Sequence, residues 1–127
     1  VTTDDFAPLF ASDLGQQVRE SFEEMIEFGA SVSAATQETW HRFSGAAKDP
    51  QDGPVVLVAI AALQVANREV FASVRDAALG VLQDGSARRQ VVGGSESSEV
   101  RQLLDDLQEI LEALEIDEDE DWEDEDA

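Results

Sequence analysis

The sequence predicts an all-α protein: a long antiparallel helical hairpin and a third amphipathic helix, completed as a small bundle or a homodimer, with an acidic C-terminal tail. Three observations carry this expectation. Apolar residues recur at helical spacing over three long stretches. Turn-forming residues cluster in two places, Lys48–Pro54 ("KDPQDGP") and Gln83–Ser98 ("QDGSARRQVVGGSESS"), which divide those stretches cleanly. Alanine is abundant and aromatics make up only 6% of the chain, a balance that favours close-packed helices over sheets.

The first long helix is expected over 13–47. Leu14, Val18, Phe22, Met25, Gly29, Val32, Thr36, Trp40, Phe43 and Ala47 follow one another by three or four residues and trace one stripe. Glu20, Glu23, Glu24, Glu27 and Glu38 fall mostly on other faces. Gly29 costs about 1 kcal/mol of helix propensity relative to alanine. Its place in the stripe is consistent with a close helix crossing or with a break into two shorter helices. Before this helix, a short one near 3–12 would fold "FAPLF" (Phe6–Phe10) back onto the stripe.

The second long helix is expected over 54–83, with Gly53 as N-cap, Pro54 in the first helical position and Asp84-Gly85 as the stop. Its first half, Val55–Leu63, is nine uninterrupted apolar residues. Such a helix must be covered on every side. A membrane span needs about 20 apolar residues, and Gln64, Asn67, Arg68 and Glu69 end this run too soon. A buried strand is the competing assignment, because the run is rich in valine. The helical spacing of the residues that follow favours the helix.

The third helix is expected over 96–116. Val100, Leu104, Leu107, Leu111 and Leu114 form a seam with heptad-like steps, widened by Leu103 and Ile110. Serines precede it as caps, and Glu96 and Glu99 lie in its first turn, where negative charge is favourable. Its outer face carries Asp105, Asp106, Glu109 and Glu112 against Arg101, so the leucine seam has to dock on another surface to hold the helix. The chain then divides into a hairpin core with a short N-terminal segment (1–94), the third helix (95–116) and an acidic tail expected to be flexible (117–127).

Charge is segregated along the chain. Residues 1–94 hold 13 acidic and 7 basic side chains, a net of −6; residues 95–127 hold 16 and 1, a net of −15. Adaptation to high salt would spread acid over the whole surface, so a terminal excess points to a dedicated tail. The presence of a single lysine, Lys48, is compatible with the high-salt alternative. Direct nucleic-acid binding is disfavoured, because phosphates would be repelled and no basic patch is present to release counterions. There is no cysteine, which excludes disulfides, thiolate metal sites and cysteine nucleophiles. The first residues lack the basic region of a secretory signal, and a cytoplasmic protein is expected.

Few motifs carry chemistry. Glu38 and His41 have the Glu-x-x-His spacing that provides half of a di-iron site in ferritin-like bundles. With one histidine per chain, the full site would need a homodimer, with Glu69 or Glu24 as the added carboxylate. A surface or capping histidine is the simpler reading, and no metal or other cofactor is expected. "DEDED" (Asp117–Asp121) resembles the start of a calcium loop. Trp122 stands where that loop needs glycine, so no EF-hand is expected. His41 has no serine and carboxylate arrangement suggesting a triad. Gly93–Ser95 is read as a linker, because the glutamates that follow oppose an anion there.

The tail holds the most informative feature, Trp122 inside a run of alternating Asp and Glu. A charge run alone serves solubility, and gains nothing from an indole. Tryptophan is among the residues that most often anchor interfaces, and flanking carboxylates such as Asp119, Asp121 and Glu123 steer encounter with a basic surface. The expected function is therefore that of a non-enzymatic helical accessory or adaptor protein. It would self-associate through Val56, Ile60, Leu63, Leu104, Leu107 and Leu111, with a dimer favoured, and engage a basic partner protein through its tail. The alternatives are a dimeric ferritin-like metal-binding protein and a surface-coating protein. The alanine-rich amphipathic helices resemble those of the phasins, which coat polyester granules, but no phasin motif is matched residue by residue.

Overall fold

Two residues with left-handed backbone conformation set the course of the chain. Gly29 has φ 95° and Arg68 has φ 62°, and each sits where one of the two expected long helices is interrupted. The computed structural model describes residues 6, 10, 13–49, 52–84 and 98–113. Among these the secondary structure is helical, with no strand: α1 (Asp13–Glu27), α2 (Val32–Arg42), α3 (Ser44–Ala47), α4 (Gly53–Ala66), α5 (Ala72–Gln83) and α6 (Ser98–Ala113). No described helix is long and apolar enough to cross a membrane.

The expected continuous helix over 13–47 is thus three helices. After α1, the Gly29 amide bonds to the Ile26 carbonyl (2.9 Å) and the Ala30 amide to the Met25 carbonyl (3.0 Å). That pair of bonds is the Schellman closure, in which a left-handed residue just beyond the helix lets the chain satisfy its last carbonyls. Glycine suits the position because it lacks the Cβ that makes such a φ costly. Ser31 then restarts the chain as the N-cap of α2, its hydroxyl accepting from the Ala34 amide at 3.0 Å.

The expected continuous helix over 54–83 is likewise interrupted. The Arg68 amide bonds to the Val65 carbonyl (3.0 Å) and the Glu69 amide to the Gln64 carbonyl (3.1 Å), the same Schellman pattern. Here the left-handed place is held by arginine, and no glycine or proline marks it in the sequence. Asp52, rather than Gly53, is the N-cap of α4, with Pro54 in its first turn, and α5 stops at Asp84.

The apolar run explains the architecture. Helix α4 is packed by α1, α3 and α5, and α1 also packs on α2. Val56, Val58, Ala59, Ile60, Ala61, Ala62 and Leu63 are all buried, with Val55 and Leu57 half-buried. A helix that is apolar all round is covered all round, as the physics requires. Each fully buried Ile or Leu contributes about 1.5–3 kcal/mol of transfer free energy. Helix α6 packs on α5 with Leu104, Leu107 and Leu111 fully buried in the same core. Phe6 and Phe10, both 2% exposed, reach that core from the N-terminal segment, and the Arg19 guanidinium lies 5.4 Å from the Phe10 ring centroid.

Candidate functional site

Polar side chains inside the described core form two connected groups. The first centres on Gln64, on the last full turn of α4 and completely buried. Its Nε2 donates to Thr36 Oγ1 on α2 at 2.8 Å, and its Oε1 accepts the Phe71 amide at 3.2 Å. Phe71 is the N-cap of α5 and has no side-chain cap of its own. One amide side chain therefore ties α4 to α2 and to the start of α5. Both faces of the amide are matched to a partner of the right polarity, as burial demands.

The second group lies between α1 and α2. The buried Ser21 and Thr39 hydroxyls approach to 3.4 Å, and Arg42 Nη1 donates to Ser21 Oγ at 3.1 Å. Arg42 also pairs with Glu38 (3.3 Å) and Glu24 (3.9 Å). Beside it lies a shallow cleft of about 290 Å³ lined by Gln17, Glu20, Ser21, Glu24, Arg42 and Phe43. A serine nucleophile needs an adjacent base. Ser21 meets a guanidinium, which only donates, and a second hydroxyl. The cluster thus fastens α2 to α1, and its exposed ion pairs are each worth about 0–1 kcal/mol.

The residues singled out by sequence are dispersed. Glu38 is engaged by Arg42, four residues on along α2. His41 is exposed in the last turn of α2, and Glu69 is exposed in the α4–α5 corner. Glu24, on α1, shares Arg42 with Glu38. Among the described residues no three His, Cys, Asp or Glu side chains gather as a metal site would require. The six residues expected to mediate self-association, Val56, Ile60, Leu63, Leu104, Leu107 and Leu111, are all at 0% exposure within one chain. Within one chain they are covered by the packed helices and the N-terminal phenylalanines. The reason is the two corners, which fold each expected long helix back on itself and close the core internally.

Trp122, Asp119, Asp121 and Glu123 lie outside the described residues, as does Leu114. The acidic character begins before them. On α6, Asp105, Asp106, Glu109 and Glu112 are all exposed, and Gln83 Nε2 reaches Glu112 at 3.5 Å. Phe28, 83% exposed beside Gly29, is the one large apolar side chain left in solvent among the described residues.

No protein-family model, curated protein or solved structure matches the chain. Its chemistry therefore rests on its own residues. Sequence reasoning missed Gln64 as a tether. The available signal was its spacing: it follows Ile60 by four residues and so continues the buried face of an all-apolar run.

Proposed function

We propose that this protein is a non-enzymatic helical adaptor, in which the folded helices are a scaffold and the acidic segment around Trp122 engages a basic partner protein. The observation that carries this reading is the segregation of charge: −6 over residues 1–94 against −15 over residues 95–127, with one indole inside the most acidic stretch. A patch of one sign raises encounter rates with a basic surface, and a buried indole supplies the short-range part of the affinity. The acidic outer face of α6 extends the same field onto the folded body. The commitment of the buried hydroxyls and of Gln64 to holding helices together favours a scaffold over a catalyst. The adaptor also self-associates in this reading. Because the six core residues are already covered within one chain, a second copy has to be engaged other than by capping an open hairpin.

The test is affinity capture from the source organism's lysate with three baits: the whole chain, a chain ending at Glu115, and Trp122→Ala. A basic protein retained by the whole chain and lost with the shortened one is the expected result, with capture weakened by salt. The Trp122→Ala bait should bind more weakly by about 2 kcal/mol, the scale of an interface hot spot. Equal capture by all three baits would refute the tail's role. In a Trp40→Phe background Trp122 is the only emitter, and a blue shift on adding the captured partner would report its burial directly.

A further inference from the structure

We infer that the α4–α5 corner is a hinge through which two copies of the chain exchange their α5–α6 units. The partner fitted to this fold is then a second copy of the same chain. The inference rests on the proposed self-association and is independent of the acidic tail.

Three observations meet at this corner. Residues 55–79 contain no glycine and no proline, and Val56, Ile60, Leu63, Phe71, Val74, Ala78 and Leu82 keep helical spacing across the break. No glycine or proline ends α4 at Ala66; its C-cap is Asn67, whose side chain bonds to the Leu63 carbonyl. The break instead holds Arg68 at φ 62°, a conformation that a residue with a Cβ adopts at a cost. The α1–α2 corner has the same closure but with glycine in the left-handed place, so the strain is particular to α4–α5. Finally, α6 packs mainly on α5, and α5 on α4 and α6. The segment beyond the corner is therefore a unit that meets the rest of the described fold chiefly along α4.

These facts define two states with the same packing. In the closed state α5 folds back on its own α4, held by the bond from the Phe71 amide to Gln64 Oε1. In the exchanged state residues 53–83 run as one helix, and the α5–α6 unit of each copy packs on the α4 of the other. The interface between α4 and α5 is identical in both states, which is what makes exchange of an element a low-cost route to a dimer. What differs is the corner, strained in the closed state and relaxed in the open one, set against the entropy of association. Concentration then decides which state prevails.

The chain has no cysteine, so spin labels can be placed cleanly at Asp52→Cys and Gln83→Cys, both exposed. Along a continuous helix these positions stand about 46 Å apart, at 1.5 Å per residue; across the closed corner they are much nearer. The measurement is molar mass by light scattering, with the intrachain distance taken by pulsed dipolar spectroscopy in samples diluted with unlabelled protein. Asn67→Ala/Arg68→Ala should raise the dimer fraction. It removes the Asn67 Nδ2 bond that caps the Leu63 carbonyl at 2.8 Å and improves helix propensity through the corner. Arg68→Gly should raise the dimer dissociation constant about tenfold or more, because glycine relaxes both closed corners and disfavours the continuous helix. A dimer with the long intrachain distance, responding in these directions, is the expected result. A dimer that keeps the monomer's short distance, or one indifferent to both variants, overturns the exchange and leaves self-association standing. A monomer throughout, including Asn67→Ala/Arg68→Ala at high micromolar concentration, overturns both.

Discussion

Replacing Gln64 by leucine isolates the contribution of one buried amide to the course of the chain. The two side chains are close in volume, so packing around α4 is largely kept. Two hydrogen bonds are lost, the 2.8 Å bond to Thr36 and the 3.2 Å bond from the Phe71 amide. The two orphaned partners are not equivalent. The Thr36 hydroxyl lies within a helix and can turn to the carbonyl four residues earlier, a common retreat for threonine. The Phe71 amide sits at a buried corner and donates to Gln64 Oε1. An orphaned buried donor costs about 1–3 kcal/mol, and a lost hydrogen bond about 1 kcal/mol. Against these stands the gain from burying leucine in place of an amide, so the net loss should be about 2–3 kcal/mol. For a domain of this size that lowers the melting temperature by roughly 8–12 °C. Urea unfolding followed by circular dichroism should show a lower midpoint with an unchanged slope. A loss below about 0.5 kcal/mol would refute the reasoning, because it would mean that the corner does not depend on Gln64. Gln64→Glu adds a sign. Burial disfavours the ionised carboxylate and raises its folded pKa above the unfolded value. Relative to the native protein at the same pH, this variant should keep its stability below the unfolded pKa and lose it as pH rises through the folded one.

Two further substitutions test the frame around that tether. Gly29→Ala should destabilise the fold by about 1–2 kcal/mol in urea unfolding; a Cβ there meets nothing within 4 Å, so the whole effect comes from φ 95°, and an unchanged midpoint would show that the corner tolerates another conformation. Ile60→Asp places a carboxylate at a position with 0% exposure and should cost several kcal/mol, seen as a collapse of the thermal transition; unaltered melting would contradict the burial of the apolar run.

The sequence by itself determined the helical class, the faces and the outer ends of the first two expected long helices. Val18, Phe22, Val32 and Thr36 are buried as their stripe requires, as are Leu104, Leu107 and Leu111 on α6. These are local properties: a period of 3.6 residues places certain side chains on one face whatever that face later meets. Asp84 ends α5 and Pro54 opens α4 for equally local reasons. The Gly29 break was legible as one of two outcomes, since glycine permits a left-handed residue without requiring one. Only the tertiary structure decided the second corner. Residues 67–71 carry no glycine or proline, and the Asn67 cap permits a stop without imposing one; burying α5 against α4 outweighs the strain at Arg68. Helix propensities differ by tenths of a kcal/mol per residue, whereas each large apolar side chain buried contributes about 1.5–3 kcal/mol. The same inequality turned Gln64 from the polar end of an apolar run into a tether, because its partners, Thr36 and Phe71, lie 28 and 7 residues away and meet it only once the helices have packed. It also closed within one chain the core that two straight helices would have left for a second copy to cover.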